Sequence, residues 1–239
     1  MFNAQQFAAR LADRQDRWSL LTEFVAEWHT PLQEGDGYSA AELDAAEQRL
    51  GLKLPLALRE WCQVAGQRED ITFPRNALLH PSGLHVENSL LVFHVENQWV
   101  VEWGIQVDDL DLDNPPVWLD DSGLHDTPQE PIRENDTLSE FALQMVVFET
   151  ITRPQVLQGY SRGASLALDT VERRFVHLGF PDWHWPLYPT RFYGGNDILI
   201  QVIGDQELHV AARSRAAFKE VETALKTTRE HHPVLYEDD

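Results

Sequence analysis

A serine between two glycines is the pattern in this sequence that is closest to a catalytic motif. Gly159-Tyr160-Ser161-Arg162-Gly163 has the form Gly-x-Ser-x-Gly, which in α/β-hydrolases places a nucleophilic serine between a buried strand and a helix of a parallel sheet. The preceding residues 155–158 are short and polar, and no alternation of strands and helices comes before them. Asp197 and His209 follow in Ser–Asp–His order, but such candidates arise by chance. We therefore expect a flexible Gly/Ser connector here.

Histidines and carboxylates show few metal-binding spacings. The repeats His85-Val86-Glu87-Asn88 and His94-Val95-Glu96-Asn97 give His-x-Glu twice, which is half of a zinc-deaminase signature whose other half needs two cysteines. Cys62 is the one cysteine of the chain, so this site, a Cys-x-x-Cys site and a disulfide are all excluded. A zinc site built from histidines and carboxylates distant in sequence stays open, and we predict no metal and no cofactor.

An acidic stretch resembles part of a calcium-binding loop. Asp109, Asp111 and Asp113 alternate as the first ligands of such a loop do, with Asp120 at the twelfth place. The loop also needs glycine at its sixth position and a bidentate glutamate at its twelfth. Asn114 and Asp120 stand there instead. A solvated acidic loop is therefore the preferred interpretation.

The distribution of charge is more informative than these motifs. The 239-residue chain has 39 Asp and Glu against 19 Lys and Arg, and a net charge of −20. Residues 76–132 hold 11 carboxylates and neither lysine nor arginine. Solubility is the ordinary explanation of such a run, and a surface that attracts a basic partner is the functional one. Direct binding to nucleic acid or to an anionic membrane is disfavoured, because both require positive charge.

The composition indicates a folded protein. Apolar residues make up 43% of the chain, with 8 Trp and 11 Phe, which is enough for a packed core. No run reaches the roughly 20 apolar residues of a membrane-spanning helix, and residues 1–7 lack the basic and apolar regions of a secretory signal. We predict a cytoplasmic protein.

Apolar spacing predicts the main elements. Helices are expected at about 4–28, 39–51, 55–66, 137–151 and 214–228, and two of them begin with capping boxes, Ser39 with Glu42 and Thr137 with Glu140. Strands are expected at about 84–86, 89–95, 98–103, 117–119, 175–178, 198–203 and 207–211. The strands near 90–103 are apolar on both faces, so their sheet should be covered on both sides. In the aromatic–proline run 180–189, Trp183-His184-Trp185 should pack on its own sheet; a stacking platform or a peptide groove is the alternative.

The most extended pattern is an acidic amphipathic helix over 41–50, followed by Leu50-Gly51-Leu52-Lys53-Leu54-Pro55 and by Leu58-Arg59-Glu60-Trp61. It resembles the opening of the SUKH superfamily, which includes bacterial toxin-immunity proteins and a fungal regulator of cell-wall synthesis. That family has an acidic helix, then Leu-Gly-x-x-Leu-Pro, then a second helix. Trp103-Gly104, Pro115-Pro116-Val117 and Leu138-Ser139-Glu140-Phe141 follow in the family's order. The resemblance covers about 38–151.

The resemblance implies an α+β fold with a curved, largely antiparallel sheet flanked by helices. We expect this core at 38–153, an N-terminal helical extension at 1–37, and a strand-strand-helix extension at 154–239 that packs on the core. It further implies a non-enzymatic immunity protein that occludes the active site of a secreted or contact-delivered bacterial toxin. A regulatory scaffold without a toxin partner is the alternative, and a hydrolase using Ser161 is a third hypothesis.

The expected partner is a basic toxin domain that meets the carboxylate-rich middle of the chain. Carboxylates there would mimic phosphate and pair with the lysines and arginines that a nuclease presents to its substrate. Two tryptophans would add aromatic anchors, although burial in the sheet is the alternative for each. The predicted partner-binding residues are Asp108, Asp109, Asp111, Asp113, Asp120, Asp121, Trp103 and Trp118.

Overall fold

The structure of the chain is a computed structural model. It describes residues 1–226 except 12, 14–15, 128, 153–156, 163–164 and 205, and for residues 157–162, 165–167 and 226 it describes the backbone alone. The helices are α1 (Ala4–Leu11), α2 (Arg17–Trp28), α3 (Ala40–Leu50), α4 (Leu56–Ala65), α5 (Glu69–Thr72), α6 (Leu138–Ile151), α7 (Ser165–Arg174) and α8 (Arg215–Lys226). The strands are β1 (Asn76–Leu78), β2 (His85–Glu87), β3 (Leu90–Glu96), β4 (Glu102–Gln106), β5 (Val117–Asp120), β6 (Ile132–Asn135), β7 (Leu157–Arg162), β8 (Val176–His177), β9 (Thr190–Gly195), β10 (Ile198–Ile203) and β11 (Glu207–Ala212).

The strands form two antiparallel sheets. The first has the order β1-β3-β4-β5-β6, with β2 also paired to β3, and the second has the order β7-β11-β10-β9-β8. Together with the helices these sheets confirm the predicted α+β class. Within the described residues, no helix combines the length and the apolarity that crossing a membrane requires.

The chain divides into two compact units. The central unit is Leu32–Glu149, and the terminal unit joins Met1–Pro31 to Thr150–Asp239. The N-terminal segment belongs to the terminal unit because its backbone pairs there. The Asp197 N–H donates to the Phe2 carbonyl at 3.1 Å, and the Phe2 N–H donates to the Asp197 carboxylate at 3.0 Å.

This division differs from the expected domains. Residues 1–37 and 154–239 were expected as separate extensions of a core at 38–153, whereas the structure combines most of both in one unit. Pairing between segments almost 200 residues apart leaves no local signal in the sequence. The expected boundary after residue 153 lies outside the described residues, and packing of 154–239 on the core stays a prediction.

The core of the central unit is an aromatic cluster between the first sheet and two helices. Trp61 of α4 and Phe141 of α6 each lie 5.8 Å from His94 of β3, measured between ring centroids. Trp103 of β4 lies 5.5 Å from the same ring. All four side chains are fully buried. All seven residues of β3 are buried as well, which confirms a sheet covered on both faces.

Local signals fix both ends of α3 and the C-terminal end of α4. The Ser39 N–H donates to the Glu42 carboxylate at 2.8 Å, and the Glu42 N–H donates to Ser39 Oγ at 3.3 Å. This is the predicted capping box. Gly51 ends α3 in the left-handed conformation, with φ of 68°, which glycine adopts without steric strain. Gly66 follows the last residue of α4, as predicted.

The single helix predicted over 4–28 is wrong, because the chain turns between α1 and α2. Asp16 N donates to Asp13 O at 3.2 Å in this turn. Arg10, near the end of α1, binds the Asp16 carboxylate, with Nη2 to Oδ1 at 2.9 Å, and also the Glu23 carboxylate of α2. These ion pairs join two helices whose apolar spacing continues across the turn, and that continuity caused the error.

The strand predicted over 98–103 begins only at Glu102. Residues 97–100 form the turn before it, where Trp99 has a φ of 59° and is 60% exposed. The Glu96 N–H donates to the Val101 carbonyl at 2.9 Å and closes the hairpin. The short strands β1 and β6 were not predicted, because neither segment alternates apolar and polar residues.

The terminal unit has a fuller sheet than the strand-strand-helix expected. The hairpin β10–β11 and helix α8 are confirmed, while β7, β9 and α7 were not predicted. Ile200, Val202 and Val210 pack with Val171 of α7 and Phe218 of α8 in a buried cluster. Apolar strands thus pack beneath two helices, as in other α+β layers.

The aromatic–proline run packs partly as expected. Trp183 is fully buried, lies 5.7 Å from Phe192 between ring centroids, and forms a β-bridge with Thr190. Trp185 is only half-buried, and Tyr188 is 57% exposed. Packing is therefore confirmed for Trp183, and the rest of the run is closer to the surface.

Candidate functional site: an acidic loop and a histidine–glutamate cluster

The predicted acidic residues lie at opposite ends of the β4–β5 pair. One group lies in the connection from β4 to β5, which we call the acidic loop (residues 107–116), and the other lies at the C-terminal end of β5. Glu102 at the start of β4 pairs with Asp120 at the end of β5, so four residues of extended strand, about 13 Å, separate the two groups. The loop group is Asp108, Asp109, Asp111 and Asp113, and the other group is Asp120 and Asp121.

The acidic loop presents most of its carboxylates to solvent. Asp108, Asp111 and Asp113 are exposed, and Asp109 is half-buried. Leu110, between them, is only 8% exposed and fixes the middle of the loop to the core. This pattern is that of a solvated, acidic surface held by one apolar side chain.

Hydrogen bonds hold the far end of the acidic loop against two helices. The Ala57 N–H in the first turn of α4 donates to the Asp113 carbonyl at 2.9 Å. The Ser139 N–H in the first turn of α6 donates to Asn114 Oδ1 at 3.0 Å, and Asn114 Nδ2 donates to Ser139 Oγ at 2.8 Å. The loop thus satisfies amides that helix N-termini leave without intrahelical partners, and its backbone is fixed in return.

Three of the predicted partner-binding residues lie within strands of the first sheet and are buried or half-buried there. Trp103 is fully buried in the aromatic core, so it is not available to a partner. Asp120 is 6% exposed and accepts hydrogen bonds from Asn88 Nδ2 and the Ser122 N–H, both at 2.9 Å. These bonds hold the pKa of Asp120 below its usual range against the opposing effect of burial. Trp118 is half-buried between Gly104 and Arg133 in the sheet register.

Cationic partners are distributed unevenly over the molecule. In other parts of the chain, arginines neutralise carboxylates: Arg68 binds Asp36 and Asp70, and Arg213 binds Glu27. None of the 11 carboxylates of residues 76–132 forms an ion pair with a lysine or arginine side chain that the structure describes. Among the described residues, histidine forms the ion pairs of this stretch, as in the 3.2 Å pair of Asp121 with His125, whereas the Arg49 guanidinium donates to the backbone carbonyls of Pro81 and Leu84. Within the described part of the chain, the carboxylates of this stretch are therefore not neutralised by lysine or arginine.

A histidine and two glutamates come together on the same sheet. Side chains two residues apart on a strand share a face, so His85 and Glu87 of β2 project to one side. Glu102 of β4 reaches the same point across β3. His85 Nε2 lies 3.7 Å from Glu87 Oε2 and 3.8 Å from Glu102 Oε1. Burial raises the pKa of Glu102. The nearby His85 opposes this rise, whereas the carboxylates of Glu87 and Asp120 raise the pKa further.

These three residues, the His85–Glu87–Glu102 cluster, are the group of potential metal ligands that the described residues bring within 4.8 Å of one another. The His-x-Glu spacing of the first repeat indicated two of these ligands, His85 and Glu87. Glu102 comes 15 residues after Glu87, and only the strand register brings it to the cluster.

The described backbone around Ser161 differs from that of a nucleophile elbow. Ser161 lies in β7, opposite Leu208 of β11. The prediction of a flexible Gly/Ser connector is therefore wrong. The sheet is antiparallel, whereas a nucleophile elbow needs a parallel sheet. The Ser161 side chain and Gly163 lie outside the described residues. Asp197 is held by Arg213 at 2.9 Å. Burial raises the pKa of the Cys62 thiol to about 12, which leaves it unreactive at neutral pH.

Trp99 is a candidate binding residue that sequence analysis missed. Its ring is 60% exposed at the tip of the β3–β4 turn, although its backbone is in the left-handed region that disfavours large side chains. Exposed tryptophans are enriched among the residues that dominate binding energy. The Glu-Asn pair before it indicated a turn, and the turn extends further than expected.

Comparison of the chain with models of known protein families, with curated proteins and with solved structures finds no match to any of them. The SUKH resemblance therefore stays a prediction that rests on residues 38–151.

Proposed function

We propose that this protein is a non-enzymatic binding module whose acidic loop receives a basic protein domain. In line with the SUKH resemblance, the partner would be a bacterial toxin, neutralised in the cytoplasm by occlusion of its active site. The observation that carries the proposal is the exposure of Asp108, Asp111 and Asp113 in a stretch, residues 76–132, that contains no lysine or arginine.

Two physical arguments support a docking role over simple solubility. Concentrated charge of one sign accelerates encounter with an oppositely charged partner and disfavours wrong ones. A surface fixed before binding also loses less conformational entropy on association. The acidic loop meets both conditions, because its bonds to Ala57 and Ser139 fix the backbone from which the carboxylates project.

The test is stopped-flow association of the full chain with the catalytic domains of toxins encoded beside its gene. The triple variant Asp108→Asn, Asp111→Asn, Asp113→Asn should associate roughly tenfold more slowly than wild type at low salt. The difference should shrink at high salt, because charges are screened beyond about 8 Å at 0.15 M ionic strength.

A matched control removes the same charge elsewhere. Glu34, Glu69 and Glu220 are exposed, so changing all three to Gln alters the net charge equally and should leave the association rate near that of wild type. Equal slowing in both triple variants would show that net charge acts without a local surface. Absence of binding to every candidate toxin would contradict the immunity role and favour the regulatory scaffold.

A further inference from the structure

We propose that the His85–Glu87–Glu102 cluster binds one divalent transition-metal ion, with zinc as the reference ion. The three residues supply one imidazole nitrogen and two carboxylates from two strands of the first sheet. The proposal does not depend on the proposed function, because it concerns a different group of side chains from the acidic loop.

The distances in the cluster fit a shared ion better than direct bonding. His85 Nε2 is 3.7 Å and 3.8 Å from the nearest carboxylate oxygens, whereas direct hydrogen bonds between nitrogen and oxygen span about 2.7–3.2 Å. Two ligand atoms at about 2.0–2.1 Å from a tetrahedral zinc ion are separated by about 3.3 Å. Both nitrogen–oxygen distances are within about 0.5 Å of this separation, and all three ligand atoms lie within 4.8 Å of one another.

A second contact prepares His85 as a ligand. His85 Nδ1 lies 3.0 Å from the Gly83 carbonyl, and a carbonyl oxygen only accepts, so Nδ1 carries the proton of this bond. In the neutral ring Nε2 is then the unprotonated nitrogen, and it faces the two glutamates. Metal-binding histidines commonly donate their other ring nitrogen to a backbone carbonyl in this way, which fixes the tautomer and the ring orientation.

The electrostatic setting favours a cation at this point. Glu102 has a side chain only 19% exposed, and it accepts no hydrogen bond from any residue that the structure describes. Residues 76–132 contain no lysine or arginine, and the Arg49 guanidinium that contacts this region donates to the carbonyls of Pro81 and Leu84. Half-buried carboxylates without donors are costly unless a positive charge is near, and a bound ion would supply that charge.

The ligand types define the class of ion. Imidazole with carboxylates suits zinc and neighbouring transition metals, whereas calcium and magnesium favour oxygen ligands alone. Three protein ligands leave a fourth position for water. The ion would also link β2 to β4 across β3, so binding should stabilise this part of the sheet.

The experiment is isothermal titration of the full chain with Zn²⁺, together with thermal unfolding at increasing Zn²⁺. Wild type should bind one equivalent at the cluster and unfold at a higher temperature with metal, as expected when a ligand binds the folded state alone. Glu102→Gln and His85→Gln should each weaken this binding by at least about tenfold. Circular dichroism of both variants checks that they fold.

Two controls separate this site from other histidines. His125→Gln removes an exposed histidine that pairs with Asp121 and should leave zinc affinity unchanged. His231→Gln with His232→Gln removes the histidine pair near the C-terminus and should retain the one-equivalent site. Absence of binding by wild type, or undiminished affinity in folded Glu102→Gln and His85→Gln, would overturn the proposal.

Discussion

The pH dependence of unfolding should be governed by two buried groups of the central unit, Glu149 and His94, which act in opposite directions. Each has a pKa shifted by burial, one upward and one downward. Because a pKa that differs between folded and unfolded states makes stability depend on pH, each group contributes a slope of known sign. The two slopes overlap between about pH 4.5 and pH 6.5.

Glu149 is stabilised as the acid. Its side chain is fully buried, and its carboxyl oxygens lie 2.9 Å from Arg75 N, 2.9 Å from Asn76 N and 2.8 Å from Asn76 Nδ2. These three donors lower its pKa, but burial dominates and raises the pKa from 4.5 to about 7. The folded chain therefore holds this proton more tightly, and the free energy of unfolding falls by about 3 kcal/mol as pH rises from 4.5 to 7.

His94 is stabilised as the neutral base. It is fully buried, and neither ring nitrogen has a hydrogen-bond partner among the residues described. Its ring stacks on Trp61 at an interplanar angle of 13°. Burial lowers its pKa from 6.5 to about 3, so the free energy of unfolding falls by about 5 kcal/mol as pH drops from 6.5 to 3.

Between pH 4.5 and 6.5 the two effects cancel, since each changes the free energy of unfolding by about 1.4 kcal/mol per pH unit with opposite sign. Substituting either residue should reveal the slope of the other. From pH 5 to pH 7 the free energy of unfolding of Glu149→Gln, minus that of wild type, should rise by about 2 kcal/mol. From pH 5 to pH 6.5 the corresponding difference for His94→Phe should fall by about 2 kcal/mol.

The assay is urea unfolding followed by tryptophan fluorescence from pH 5 to pH 8, above the isoelectric point near 4.7. Any constant cost of the substitution, such as an amide facing the Asn76 donors, shifts the whole curve without changing its slope. Glu220→Gln removes an exposed carboxylate and should run parallel to wild type. A Glu149→Gln curve that is also parallel to wild type would refute the raised pKa, and a parallel His94→Phe curve would refute the lowered one.

Two further predictions concern single turns of the backbone. Ser39→Ala removes the acceptor of the Glu42 N–H and should lower the free energy of unfolding by about 1 kcal/mol; an unchanged urea midpoint would show that the capping box contributes nothing. Trp99→Asn should raise the free energy of unfolding by about 1 kcal/mol, because asparagine tolerates the left-handed conformation that Trp99 holds. A less stable Trp99→Asn would instead show that the ring contributes packing, and weaker toxin binding by this variant would place Trp99 in the interface.

Local signals predicted the parts of the fold that local physics determines. The capping box at Ser39, the glycine end of α3 and the hairpin β10–β11 each depend on residues within a few positions of one another, and the structure confirms them. The break after α1 was missed because the apolar spacing continues across it, while an ion pair of Arg10 with Glu23 joins the two helices. Apolar spacing does not report such pairs.

Non-local pairing explains what the sequence could not predict. The N-terminal segment joins the terminal unit through Phe2 and Asp197, and Glu102 reaches His85 across an intervening strand. Neither contact has a spacing rule. For the acidic residues, the sequence predicted charge correctly but not exposure: Asp111 and Asp120 look alike in the sequence, and only the sheet shows that Asp120 is buried.

The two proposals share one physical origin in the placement of arginine. Arg10, Arg68 and Arg213 each bind two carboxylates elsewhere in the chain, and residues 76–132 have no such partner in their own sequence. Like charges left together disfavour the folded state, so this stretch gains stability from any cation that binds it. A basic protein at the acidic loop and a metal ion at the His85–Glu87–Glu102 cluster would each supply that charge, at positions that the strand register keeps apart.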